Sequence, residues 1–155
     1  MDSQFREYVE SLHPAFEALL AMRPVKVSTL PKNLPLKCIY LFSEGTSHLY
    51  VGRTGNFRNR MRQHSIAGSQ HNQAVLAFKL AREKTGNLKA KYNVKGSRAA
   101  LQVDPLFGPV FVEAKARVRK MDLRFVEEQD PLRQTLLEVY VAVVLKTPYN
   151  DFDTH

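Results

Sequence analysis

The stretch from Lys37 to Arg53, KCIYLFSEGTSHLYVGR, constrains the fold of this chain more than any other. Two short runs rich in Ile, Tyr, Leu, Phe and Val flank Ser-Glu-Gly-Thr-Ser, a pattern that reads as a β-hairpin turning at Gly45, with strands over about 37–43 and 47–53. The period then changes. In GNFRNRMRQHS, Phe57 and Met61 share an apolar helical face, Arg58, Arg62 and Gln63 point outward, and Asn56 is the expected cap. Arg60 and His64 fall on one face, one turn apart.

The flanks are helical. Residues 4–22 carry apolar side chains at spacings of three and four, and Pro14 is expected to split them into two short helices. A proline-rich linker leads to the first strand. After the basic helix, residues 71–84 read as a second helix ended by Gly86. Residues 85–102 hold Lys89, Lys91, Lys95 and Arg98, no acid and little periodicity, which reads as a basic surface loop. A helix is expected from Asp104 to Met121, with Lys115, Arg117, Arg119 and Lys120 crowding its carboxyl end, where cations favour the helix dipole. Residues 121–129 alternate as a third strand. Asp130 caps a last helix with Pro131 in its first turn, and TPYNDF returns the chain to the surface.

At 155 residues the chain is the length of one domain. The expected organisation is a single domain over 1–155: an N-terminal helical extension and linker over 1–36 and a core over 37–152, interrupted by a basic insertion at about 86–120. The net charge of +8 attracts polyanions, nucleic acid being the commonest. Between residues 79 and 124 there are twelve Lys or Arg against four acids, so the excess is concentrated rather than spread as a solvated coat. The single Cys38 excludes an internal disulfide and a cysteine zinc site, and reads as a small buried apolar residue. No apolar run reaches membrane-spanning length, and acids occupy the amino terminus where a secretion signal would be basic. The expectation is a cytoplasmic protein without a membrane partner.

Several residues can carry chemistry. The hairpin brings Tyr40 and Tyr50 close, near the start of the helix bearing Arg60 and His64. Glu138 is the only charge in LLEVYVAVVL, and a buried carboxylate needs a cation, either Arg60 or Arg53 or a divalent metal. These residue types suit phosphodiester hydrolysis. A tyrosine hydroxyl or His64 can accept a proton from water, Arg60 can hold the phosphate in its planar fork, and magnesium held by one carboxylate and several waters can stabilise the leaving oxygen. No Walker A loop, HExxH or paired-acid two-metal pattern is present.

In this setting the chain resembles the GIY-YIG endonucleases. The first namesake motif corresponds to CIY at 38–40 and the second to YVG at 50–52, ten residues from tyrosine to tyrosine. Arg60, ten residues after Tyr50, matches the family's essential arginine, and His64 a histidine found four residues further on in many members. Arg53 falls where relatives often have a basic residue. Glu138 resembles the metal-binding glutamate, and PYN at 148–150 an asparagine-containing turn. The likeness covers about 37–67 and 121–152. It implies an α+β fold with a small central antiparallel three-stranded sheet flanked by helices, and DNA cleavage with one Mg2+ or Mn2+ ion per active site, held by Glu138. The implied catalytic set is Tyr40, Tyr50, Arg60, His64 and Glu138. Arg53, Lys89, Lys91, Lys95, Arg98 and Asn150 are the expected nucleic-acid contacts, although Asn150 suits orienting water or backbone better than binding metal.

Two departures qualify the likeness: Cys38 stands where the family usually has glycine, and the basic insertion exceeds minimal members. The expectation is a metal-dependent DNA endonuclease, structure-selective or weakly sequence-specific, acting on duplex, single-stranded or branched DNA. A homodimer or sequential nicking would let one active site cut both strands. The alternatives are a nucleic-acid-binding protein that keeps the fold without cutting, and a nuclease for RNA or single strands.

Overall fold

A computed structural model describes residues 1–88 and 97–152 of the chain. In chain order the described elements are α1 (Ser3–Glu10), α2 (His13–Ala21), β1 (Cys38–Glu44), β2 (Ser47–Thr54), α3 (Phe57–Ser65), α4 (Val75–Thr85), α5 (Arg98–Val103), α6 (Phe107–Lys120), β3 (Asp122–Glu127) and α7 (Pro131–Leu145). The protein is α+β, with a small three-stranded antiparallel sheet, flanking helices and an N-terminal helical segment. It divides into two compact units: residues 1–58 with the described chain from Asp122 onward, and residues 59–121. The second unit thus starts inside α3, well before the insertion boundary expected at about 86. Among the described residues no helix is long and apolar enough to cross a membrane.

In the first unit the strand order is β2-β1-β3. The pairing Leu41↔Val51 and Ile39↔Arg53 sets one face of the pleat, and Tyr40↔Gly52, Phe42↔Tyr50 and Tyr40↔Phe125 set the other. On the first face Ile39, Leu41 and Val51 join Leu12, Phe16 and Leu19 of the N-terminal segment and Leu137, Val141 and Ala142 of α7 in one buried cluster. Each large member stabilises the fold by about 1.5–3 kcal/mol through apolar burial. On the second face Phe57 packs against Phe125 with centroids 4.6 Å apart. Cys38 is fully buried, and burial pushes its thiol up to about 12, in keeping with an apolar role.

Local chemistry sets the helix ends as expected from sequence. Pro14 falls in the first turn of α2. Asp130 caps α7, its carboxylate accepting from the Arg133 amide at 2.8 Å, and Pro131 occupies the first turn, where no amide donor is needed.

Both outer edges of this short sheet are covered. Val25 makes an antiparallel bridge to Leu123, with reciprocal amide–carbonyl bonds of 2.9 and 2.8 Å. At the other edge the segment after α7 binds β2. TPYNDF therefore does more than return to solvent: the Tyr149 amide donates to the Leu49 carbonyl at 3.2 Å, and Thr147 is buried. Covering edge strands removes unpaired backbone groups that would recruit another chain.

The described residues of the second unit form helices joined by turns. Phe78 of α4 lies 5.1 Å from Phe107 and 5.4 Å from Phe111 of α6, ring centroid to centroid. Gly86 ends α4 at φ 75°, the left-handed conformation a helix C-cap favours. Three sequence expectations change here, the first being that the helix expected over 71–84 begins only at Val75. Arg98–Val103, read as part of a loop, is a short helix: the Ser97 hydroxyl accepts from the Ala100 amide at 3.1 Å, and Leu101 is buried. The helix expected from Asp104 starts at Phe107, because the Asp104 carboxylate accepts from the Leu106 and Phe107 amides and so precedes the first turn. Lys89, Lys91 and Lys95 lie outside the described residues.

Candidate functional site

The hairpin brings the two tyrosines of CIY and YVG together, ring centroids 6.4 Å apart. Tyr40 lies directly across from Gly52. A Cβ built on Gly52 would sit 2.4 Å from both Cζ and Oη of Tyr40, so the ring occupies the space a side chain would need. Phe42 and Phe57 hold that ring from two other sides, with centroids 5.8 and 6.2 Å away. Tyr40 is 1% exposed, whereas Tyr50 is half-buried. The glycine of YVG is therefore a packing requirement of the tyrosine of CIY, and Tyr50 is the more accessible phenol.

Glu138 meets its cation. Its Oε2 accepts from Arg53 Nε at 3.0 Å, the Glu138 side chain being 19% exposed and Arg53 47%. Of the partners open from sequence, the arginine at 53 is the one bonded. Burial raises the Glu138 carboxyl above the usual carboxylate range, and the Arg53 charge and hydrogen bond work against that rise without cancelling it. Strand parity puts Arg53 on the pleat face of Ile39 and Val51, towards α7, and the tyrosines on the opposite face. The two pairs are thus set on opposite sides of the edge strand β2.

Among the described residues no group of three or more His, Cys, Asp or Glu converges to cage a metal ion. A hard, water-rich cation such as Mg2+ or Mn2+ needs no cage, since one carboxylate oxygen with waters suffices. The partly exposed Glu138 carboxylate fits that donor requirement, in exchange for part of its bond to Arg53.

Asn150 has a different occupation from nucleic-acid contact. Its Oδ1 accepts from the Val51 amide at 2.9 Å and its Nδ2 donates to the Val51 carbonyl at 2.8 Å. The side-chain amide pairs with the outer edge of β2 as a strand backbone would, and the Thr147 hydroxyl, donating to the same Oδ1 at 2.7 Å, holds it there. The backbone-orienting role is the one its geometry serves.

Arg60 and His64 belong to the second unit, on the part of α3 beyond Arg58. Arg60 Nη1 donates to Gln63 Oε1 at 3.1 Å and to the main-chain carbonyl of Gln73 at 3.0 Å, so its half-buried guanidinium is held in one orientation. His64 is fully buried, and burial, helped by the Arg60 charge, lowers its pKa well below the ordinary imidazole value. A neutral, enclosed ring suits bracing better than exchange of protons with water. Arg98 is exposed at the start of α5.

Sequence reasoning overlooked Lys115. Counted among the dipole-favouring cations of α6, it is 3% exposed. Its position four residues after Phe111 and three before Val118, both buried, put it on the apolar stripe of that helix, a signal legible in the sequence. No family model, no curated protein and no solved structure matches this chain.

Proposed function

We propose that this protein is a metal-dependent endonuclease of GIY-YIG type that hydrolyses DNA phosphodiester bonds. One observation carries the reading. Residues 85 and 99 positions apart in sequence, all within the resemblance, meet on the edge strand that bears YVG: Glu138 bonds Arg53, and Asn150 brackets Val51. A chain needing only a stable sheet has no use for a largely buried carboxylate at that edge, because an apolar residue there costs less.

In the proposed reaction Tyr50, the more accessible phenol, first gives up its own proton to solvent and as the phenolate accepts the proton of the attacking water, while Tyr40 supports it from the packed face over Gly52. Arg60, which the resemblance makes the phosphate-holding arginine, is kept in one orientation by Gln63 and the Gln73 carbonyl. Glu138, on the other side of β2 from the tyrosines, would hold the divalent ion, which would supply positive charge to the leaving oxygen, so the phosphodiester has to reach both sides of that strand. Arg53, released in part from Glu138, contacts the adjacent phosphate. His64 braces α3.

Cleavage of labelled duplex, single-stranded and branched DNA, with matched RNA, tests this in Mg2+ or Mn2+. Cutting is expected to stop on chelation and to fall by about 100-fold or more in Glu138→Ala and Arg60→Ala, as for loss of a charge-stabilising group. Tyr50→Phe should lose more than Tyr40→Phe. A second reading, nucleic-acid binding without cutting, is favoured by the Arg53–Glu138 ion pair, since a carboxylate satisfied by arginine needs no metal. Salt-sensitive binding with every substrate left intact would select it.

A further inference from the structure

The buried lysine of α6 has no role in the reaction proposed above. Lys115 Nζ donates to the main-chain carbonyls of Ala67 and Ser69, the latter at 2.8 Å, and lies 4.1 Å from the centroid of the Phe111 ring. A lysine head enclosed this way is costly unless each face of the ammonium is satisfied, and here two carbonyls and an aromatic face do so. Burial also lowers its pKa. The two carbonyls belong to the turn after α3, which is built on itself: Ser69 N donates to Ile66 O, Gln73 N and Ala74 N to Gln70 O, and Gln70 N to Gln73 Oε1. The last carbonyl of that turn, Gln73 O, is the one that receives Arg60 Nη1.

We propose that Lys115 is a positioning residue for Arg60: by drawing the Ala67 and Ser69 carbonyls together it fixes the 66–74 turn, and the turn presents the Gln73 carbonyl that aims the guanidinium. The importance of that aim for cleavage rests on the nuclease reading; the aim itself does not. A side chain reaching the reacting phosphate through four rotatable bonds loses much of its effect when its orientation is free, so a fixed acceptor behind it has catalytic value. The arrangement lies wholly within the second unit.

Two readouts separate the two ideas. The first is the side-chain NMR signal of Arg60, assigned by its absence in Arg60→Ala, which reports whether guanidinium rotation is restricted. The second is steady-state cleavage of DNA with Mg2+ or Mn2+. In Lys115→Met, which keeps the stem and removes the donors, the Arg60 restriction is expected to be lost. The kcat should fall by about 10- to 100-fold with KM changed by less than about threefold. Gln73→Ala, which unties Gln70 from the same turn without touching the buried lysine, should move both readouts in the same direction and serves if Lys115→Met does not fold. An unchanged Arg60 signal in a folded Lys115→Met, or in Gln73→Ala should Lys115→Met not fold, overturns the inference. Loss of restriction with unaltered kcat upholds the orientation and overturns its value for cleavage. If the wild-type protein cuts nothing, the nuclease reading falls and the NMR comparison still decides whether Lys115 orients Arg60.

Discussion

At the residue scale, Gly52 and His64 have the sharpest physical consequences. Gly52 is small because Tyr40 needs its space. In Gly52→Ala the new methyl meets the buried ring at 2.4 Å, and Phe42 and Phe57 block its retreat. The substitution should destabilise the protein by about 1–3 kcal/mol, the range for overpacking, read from a lowered urea midpoint at constant slope. Unchanged stability would mean that Tyr40 turns aside at no cost. His64 predicts an acid-side loss. Its folded pKa lies below its unfolded value of 6.5, so under that pH the unfolded chain binds a proton that the folded chain refuses. Stability from this group is complete above the unfolded pKa. It then declines as pH falls, by up to about 1.4 kcal/mol per unit, until the buried ring itself takes the proton. Urea titrations at stepped pH, with His64→Gln beside wild type, should show a shallower decline in the variant.

At the scale of elements, β2 is the strand on which the candidate site depends, and its outer edge is held by a side chain. Asn150 replaces a missing neighbouring strand with one amide group, giving the Val51 amide and carbonyl the partners an interior strand would give them. In Asn150→Ala both bonds to Val51 and the one from the Thr147 hydroxyl are lost, at a cost of about 1–3 kcal/mol at this half-buried edge. The Val51 amide, protected in wild type, should exchange with solvent by local opening in the variant, as seen by hydrogen exchange resolved to single amides. Asn150→Asp keeps an acceptor and loses the donor, so the Val51 amide should stay partly protected. Equal protection in all three would mean that the Asn150 side chain contributes nothing to the edge. The hairpin, the Pro14 break and the capped last helix were legible because each follows from local backbone chemistry within a few residues. The helix at Arg98–Val103 was not: its single buried anchor, Leu101, gives too short an apolar period to stand out from a basic stretch.

At the scale of the whole molecule, charge is the property with a measurable outcome. The formal net charge is +8, and twelve of the basic residues fall between 79 and 124. Affinity for nucleic acid should fall steeply with salt. Neutralising about five phosphates gives a log–log slope of about −4.5 on duplex DNA and about −3.5 on single strands. Fluorescence anisotropy with labelled oligonucleotides across about a tenfold range of salt measures it. A slope shallower than about −1 would remove the polyanion surface from the functional reading.

The sequence by itself determined the α+β class, the hairpin, the helix that follows it and the candidate residues, because strand alternation, helical period, turn glycines and caps are properties of neighbouring positions. It also marked Glu138 as a charge needing a partner, since nine of the ten residues around it are uncharged. Which cation answered it was a tertiary decision. So were the reach of Asn150 to Val51, the fit of Tyr40 over Gly52, and which carbonyls, 46 and 48 positions earlier, receive the Lys115 ammonium. Each of these depends on which surfaces the packed elements bring within a few ångströms, and contacts across such separations leave no periodic trace in a single chain.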